Sequence, residues 1–136
     1  MTEIIRLQDP VLETIEYLKP WISARSEVPA RWAWDDLLVT VQDAGGTGER
    51  DLVLDDVLLS LMVAHPDRET ASTAARDIHG LLRAWTYASD RVSFDATIQR
   101  PTYDPDPDTR TPAYTFTVRI IFRAETATVE PKQLHL

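Results

Sequence analysis

The stretch that decides the fold class is VSFDATIQR-PTYDPDPDTRTP-AYTFTVRIIFR, residues 92–123. Its first and last parts alternate apolar and polar residues, as strands with one buried face do. The connection between them, residues 101–112, holds four of the nine prolines and exceeds the ~2–5 residues of an ordinary hairpin loop. We therefore predict two antiparallel strands joined by a stiff segment that projects toward a neighbour. The predicted buried faces are Val92, Phe94, Ala96 and Ile98, and Tyr114, Phe116, Val118, Ile120 and Phe122.

The composition fits one globular domain and narrows the classes of partner. The chain has 136 residues, no cysteine and a net charge of −8. The lack of cysteine excludes disulfides and thiolate metal sites. Because backbone binding to nucleic acid needs a basic surface, we do not expect DNA affinity, although DNA could slide past an acidic wall. No apolar run approaches the ~20 residues of a membrane span, and residues 1–9 do not resemble a signal peptide, so we expect no membrane association and synthesis in the cytoplasm.

Two helices and two further strands complete the predicted fold. Asp9 and Pro10 start the first helix and Pro20 ends it, while Asp67 caps the second. Strands are predicted over residues 37–43 and 52–64, the latter central, covered on both faces and interrupted near Asp55 and Asp56. The second helix carries an apolar stripe at helical spacing: Ala71, Ala74, Ala75, Ile78, Leu81, Leu82 and Trp85. The sequence thus predicts an α+β fold, with two helices packed on a mostly antiparallel sheet of four to five strands.

Three smaller expectations concern the ends and joints of this fold. A single domain is predicted over residues 1–124, followed by a loosely ordered tail, residues 125–136. A short extra strand is expected before Trp32, and at least one ring of Trp32 and Trp34 is expected to lie over the core.

No pattern in the sequence requires catalysis or a cofactor. Gly45–Gly48 leads into a strand, whereas a phosphate-binding loop leads into a helix. Asp104, Asp106 and Asp108 alternate with prolines that hold the backbone extended, which does not suit a calcium loop. His65, His79 and His135 are too scattered for a zinc site. We therefore predict a protein without catalytic, cofactor-binding or metal-binding residues.

Taken together, the local patterns resemble those of bacteriophage tail terminators, also called head–tail joining or tail completion proteins. The resemblance covers roughly residues 9–123. It lies in a helix from Pro10, the strand LLVTVQD with a glycine turn, the run LDDVLLSLMVAHPDRETASTAARDIHGLLRAW, and two strands around a loop rich in Asp and Pro that ends in TPAYTFTVRIIFR.

The resemblance implies a structural virion protein at the head–tail interface. Such a subunit forms a homo-oligomeric ring, commonly a hexamer, on the end of the tail tube. The ring stops polymerisation of the tube protein and joins the tail to the head connector, while phage DNA passes through without specific binding. Ring subunits need segments that reach the next copy, and head-to-tail contacts close when the rotation permits.

The two polar connections, residues 45–51 and 101–112, are the predicted interfaces with other copies or partners, and we expect them to serve assembly rather than folding. The candidate interface residues are Gly45, Gly46, Thr47, Gly48, Glu49, Arg50, Tyr103, Asp104, Asp106, Asp108 and Arg110. Two alternatives stay open. One is a different neck or connector component of the virion, and the other is a small-ligand-binding or enzymatic α+β domain with a pocket between the second helix and the sheet.

Overall fold

A computed structural model of the chain describes residues 1–30 and 36–131. Nine elements follow one another along the described residues. They are β1 (Thr2–Arg6), α1 (Pro10–Leu18), β2 (Leu38–Asp43), β3 (Gly48–Arg50), β4 (Leu54–Ala64), α2 (Arg68–Ala88), β5 (Val92–Tyr103), β6 (Ala113–Arg123) and β7 (Glu125–Val129). The predicted α+β class is confirmed: two helices accompany a five-stranded antiparallel sheet and a separate two-stranded one.

The main sheet has the order β2-β4-β6-β5, and β3 pairs with β4 alongside β2. Strand β4 is central, as predicted, but it runs through Asp55 and Asp56 without the expected break. Its full length pairs with β6, from Leu54 opposite Arg123 to Ala64 opposite Ala113. Among the described residues, the outer strands of the sheet are therefore β2 and β3 on one side and β5 on the other.

Both helices pack on one face of this sheet. The Asp9 side chain accepts hydrogen bonds from the Val11 and Leu12 amides at the start of α1, and Asp67 accepts one from the Thr70 amide at the start of α2. Both predicted caps are thus confirmed, since each carboxylate satisfies amides without a partner inside the helix. The largest fully buried side chains include Leu18, Leu59, Leu61, Leu82, Phe116, Ile120 and Phe122.

The expectation that both faces of β4 are covered is wrong for the face opposite the helices. Within the described residues no helix packs there, and Leu58, Ser60 and Met62 are half-buried. The apolar run in β4 therefore reflects one core face and one partly open face.

Strand β5 also differs from its predicted pattern. Its register against β6 shifts between Phe94 and Ala96 and again between Thr97 and Gln99. Each shift reverses the side that the following side chains face. Ala96 lies opposite Arg119 and therefore does not share the core face of Phe94. Ile98, predicted to be buried, lies within the second shift and is 49% exposed.

The ends of the chain form an element that the sequence did not predict. Strands β1 and β7 pair antiparallel from Thr2 opposite Val129 to Arg6 opposite Glu125, and β7 follows β6 after one residue, Ala124. The expectation of a loosely ordered tail is therefore wrong for residues 125–129. Pairing between the two ends of the chain is non-local, so no local pattern announces it.

Two other expectations concern the segment before β2. The short extra strand appears only as a single parallel bridge between Arg25 and Thr40. Trp32 and Trp34 lie outside the described residues.

Candidate assembly surfaces

The first predicted interface segment, residues 45–51, belongs to the sheet rather than to a flexible loop. The Ala44 amide donates to the Leu58 carbonyl, and the Leu58 amide donates to the Gly45 carbonyl. After the next two residues, β3 continues along β4, with Glu49 opposite Asp55. The glycine-rich segment is thus a bulge in one long edge strand. The expectation that this segment serves assembly rather than folding is therefore corrected for residues 45–50, whose backbone belongs to the sheet.

Gly46 shows why glycine is required in this bulge. Its φ is +122°, and a Cβ there would lie 2.2 Å from the Asp56 carbonyl oxygen. Both the conformation and the close approach of the β4 backbone exclude a larger residue. The bulge consequently fixes where β3 lies on β4.

Beyond β3, residues 51–53 form a turn whose tip is apolar and strained. Asp51 and Leu52 have φ values of 53° and 65°, in the left-handed region that side chains other than Gly, Asn and Asp rarely adopt. Leu52 is nevertheless 70% exposed. A leucine held in this conformation therefore makes little contact with the core of the chain.

Carboxylates surround this hairpin on the helix-bearing side of the sheet. Glu49 lies directly opposite Asp55, an arrangement of like charges that destabilises a strand pair. Burial raises the pKa of Asp55, and the charges of Asp43, Asp56 and Glu49 raise it further. Asp56 differs from its neighbours because its Oδ1 lies 3.2 Å from Nε of Arg119, an ion pair on the opposite face. The β3–β4 hairpin is therefore an acidic edge of the sheet.

The second predicted interface segment is shorter and more ordered than expected. Strand β5 continues through Pro101 to Tyr103, so the connection spans residues 104–112. Oδ2 of Asp106 accepts hydrogen bonds from the Asp108 amide and from the amide and hydroxyl of Thr109. The bonds from Thr109 lower the pKa of Asp106. The Arg110 amide donates to the Asp106 carbonyl, and the Asp104 amide donates to the Ala113 carbonyl. The loop is thus closed on itself.

Tyr103 makes contacts inside its own subunit. The Arg68 guanidinium lies 3.8 Å from the centre of the Tyr103 ring, and Arg68 Nε donates a 3.2 Å hydrogen bond to the Tyr114 hydroxyl. The sequence gave no indication of this cluster, since it depends on the register that sets Tyr103 opposite Tyr114. It joins the start of α2 to the loop end of the sheet.

The structure does not bring the two predicted segments together. Strand β3 pairs with the Leu54 end of β4, and the loop between β5 and β6 lies at the Ala64 end of β4. Residues 45–50 and the loop containing Tyr103, Asp104, Asp106, Asp108 and Arg110 are therefore separate surfaces on opposite ends of the sheet.

A groove that the sequence did not identify lies between α2 and the edge strand β5. Its volume is about 610 Å³, and it is lined by Gly80, Arg83, Ala84, Thr86, Tyr87, Phe94 and Asp95. Tyr87 is 92% exposed beside it. Arg83 from α2 and Asp95 from β5 bring one positive and one negative charge to its lining.

Hydrogen bonds hold α2 against β5 next to the groove. Nε2 of His79 lies 2.7 Å from the Thr97 hydroxyl, and the Thr86 hydroxyl accepts a 2.8 Å hydrogen bond from the Phe94 amide. Burial lowers the pKa of His79, and the charge of Arg83 adds to this effect. These bonds set the width of the groove.

The ribbon formed by β1 and β7 is a third surface. Every side chain of β1 is exposed, and Ile5 and Leu7 are 52% and 44% exposed. Its ion pairs, such as that between Arg6 and Glu125, lie on the surface and add little stability. A two-stranded ribbon is marginally stable by itself, so contact with another protein would stabilise it.

Among the described residues, no group of three or more His, Asp or Glu side chains is arranged to hold a metal ion. Neither α1 nor α2 is long and apolar enough to cross a membrane. No protein-family model matches the chain, and no curated protein matches it.

Proposed function

We propose that this chain is a structural phage protein, a tail terminator that forms a ring on the tail tube. In this role it stops polymerisation of the tube protein and provides the surface that meets the head connector. It acts through protein interfaces, without a cofactor and without catalysis, within the virion. The proposal rests on the resemblance described above and on the surfaces of the folded subunit.

The observation that carries the proposal is the ribbon of β1 and β7. It stands outside the main sheet and exposes Ile4, Ile5 and Leu7, and its two strands cannot form a core between them. Exposed apolar side chains on such an element are typical of a surface that another protein covers. We propose that the ribbon contacts the tube or the connector.

The net charge supports the same role. The chain has a net charge of −8, which does not favour binding to another polyanion. DNA could then cross the channel of the proposed ring without adhering, because the phosphate backbone needs cations for binding.

The experiment is removal of the gene from the phage that encodes the chain. We expect overlong tails without heads, and a return to normal tails when the wild-type chain is supplied in trans. A chain that lacks residues 1–7 should be produced and folded yet fail to complement, whereas Lys19→Glu, at the exposed residue that follows α1, should complement fully. Tails of normal length in the absence of the gene would contradict the proposal.

The groove beside β5 favours a second candidate, a small-ligand-binding α+β domain. Its volume of about 610 Å³ lies within the range of ligand sites, about 300–1,000 Å³, and it lies between the second helix and the sheet. A screen of small metabolites by thermal shift would distinguish the two candidates. Saturable binding that Phe94→Ala removes, together with normal tails in the deletion, would favour the ligand-binding domain.

A further inference from the structure

We propose that the acidic hairpin formed by β3 and β4 docks into the groove between α2 and β5 of the next copy of this chain. Leu52 at the tip of the hairpin is the apolar anchor, and Arg83, which lines the groove, receives the carboxylates. This inference rests on the proposed ring and names the surfaces that would close it.

The first argument is the unfavourable state of the hairpin in a single subunit. Leu52 is 70% exposed in a left-handed conformation, and Glu49 faces Asp55 across the strands. Both features cost stability, and the isolated subunit gains nothing in return. Contact with a surface that offers apolar side chains and an arginine would compensate for both.

The second argument is that such a surface exists on the same chain. Phe94 and Ala84 give the groove apolar walls, and Arg83 lines it on the α2 side, facing a groove whose β5 side also carries Asp95. Strand β5 is also the outermost strand on its side of the sheet. Arginine binds carboxylates through several donors at once, which suits this edge to a segment that carries Glu49 and Asp51.

The third argument is geometric. Strand β3 lies at one lateral edge of the sheet and β5 at the other, so the contact is head-to-tail and does not pair identical surfaces. Both sites lie toward the same end of the strands, since Leu54 pairs with Arg123 and Phe94 pairs with Ile120. Head-to-tail contacts of this kind close into a ring when the rotation between copies permits.

The first experiment measures self-association of the pure chain by sedimentation and native mass spectrometry. Leu52→Gly removes the anchor and relieves the left-handed strain, so we expect a higher Tm together with association weakened at least about tenfold. Leu12→Ser, which changes an exposed leucine on α1, is the control and should leave association unchanged. Association that survives Leu52→Gly intact, or a wild-type chain that is monomeric at every concentration, would overturn the inference.

The second experiment reverses charge. Arg83→Glu changes the groove, and Glu49→Lys/Asp51→Lys changes the hairpin. Each variant alone should lose association, with its Tm and circular dichroism confirming the fold. Mixing the two restores it, because each altered hairpin then meets an altered groove and each native hairpin a native groove. Failure of the mixture to associate would contradict the pairing.

These outcomes are distinguishable from failure of the proposed function. A ring that forms through the hairpin and groove but leaves tail length unaffected would support this interface and contradict the terminator role. A ring that caps tails normally and is not disturbed by the variants would support the terminator role and contradict this interface.

Discussion

Asp55 lies in β4 next to three other carboxylates, those of Asp43, Glu49 and Asp56, and its pKa is raised above the ordinary value of 3.8. The folded chain therefore binds this proton more tightly than the unfolded chain. Stability is lost as pH rises from the unfolded pKa through the folded one. We expect Asp55→Asn to raise the Tm at pH 7, with the difference disappearing below about pH 3.8. Thermal unfolding of the variant and the wild type at several pH values measures this difference in Tm. An equal rise in Tm at all pH values would contradict the electrostatic cause.

Trp85 makes the opposite kind of contribution, because its ring is 5% exposed. It stacks on Tyr17 at 4.4 Å and meets the edge of Phe122 at 5.6 Å. We expect Trp85→Ala to cost about 3–5 kcal/mol in the free energy of unfolding, since it leaves a large cavity. Arg76→Ala, on the exposed side of the same helix, should cost less than about 1 kcal/mol. Similar losses in chemical denaturation would show that the buried face of α2 is assigned wrongly.

At the scale of elements, the glycine bulge is a test of how the edge strand is held on β4. We expect Gly46→Ala to lower the Tm strongly, because the new Cβ would collide with the Asp56 carbonyl. Gly80→Ala is the matched control. No atom lies within 4 Å of its added Cβ, and alanine favours a helix by about 0.5–1 kcal/mol over glycine. A Gly46→Ala variant as stable as the wild type would contradict the bulge.

The elements that the sequence predicted well are those with local causes. The stripe of α2 from Ala71 to Trp85 follows from helical spacing, and Asp9 and Asp67 act as caps within their own turns. The alternation in β6 was also correct, because Phe116, Val118, Ile120 and Phe122 all lie on the core face. Each of these assignments needs only the neighbours along the chain.

The features that the sequence missed depend on distant partners. The pairing of β1 with β7 joins the two ends of the chain, and the shifts in β5 depend on its register with β6. The groove beside Phe94 needs α2 and β5 together. For the same reason, the local sequence of residues 45–50 indicates a polar connection, and only the pairing with β4 shows that these residues belong to the sheet.

At the scale of the whole molecule, the three candidate surfaces lie on different sides of the main sheet. The acidic hairpin and the groove lie on opposite lateral edges of the main sheet, and the ribbon follows directly from the end of β6. We propose that the lateral surfaces contact other copies and that the ribbon contacts the tube or the connector. A ring subunit needs both kinds of contact.

The most direct measurement of the central claim is the length of tail tubes assembled in the presence of the purified chain. Tube protein from the same phage is polymerised alone and with increasing amounts of the chain, and the products are imaged by electron microscopy. We expect rings at tube ends and tubes that stop growing, with Leu52→Gly much less effective. Tubes that grow equally long at every ratio, with bare ends, would contradict the terminator role.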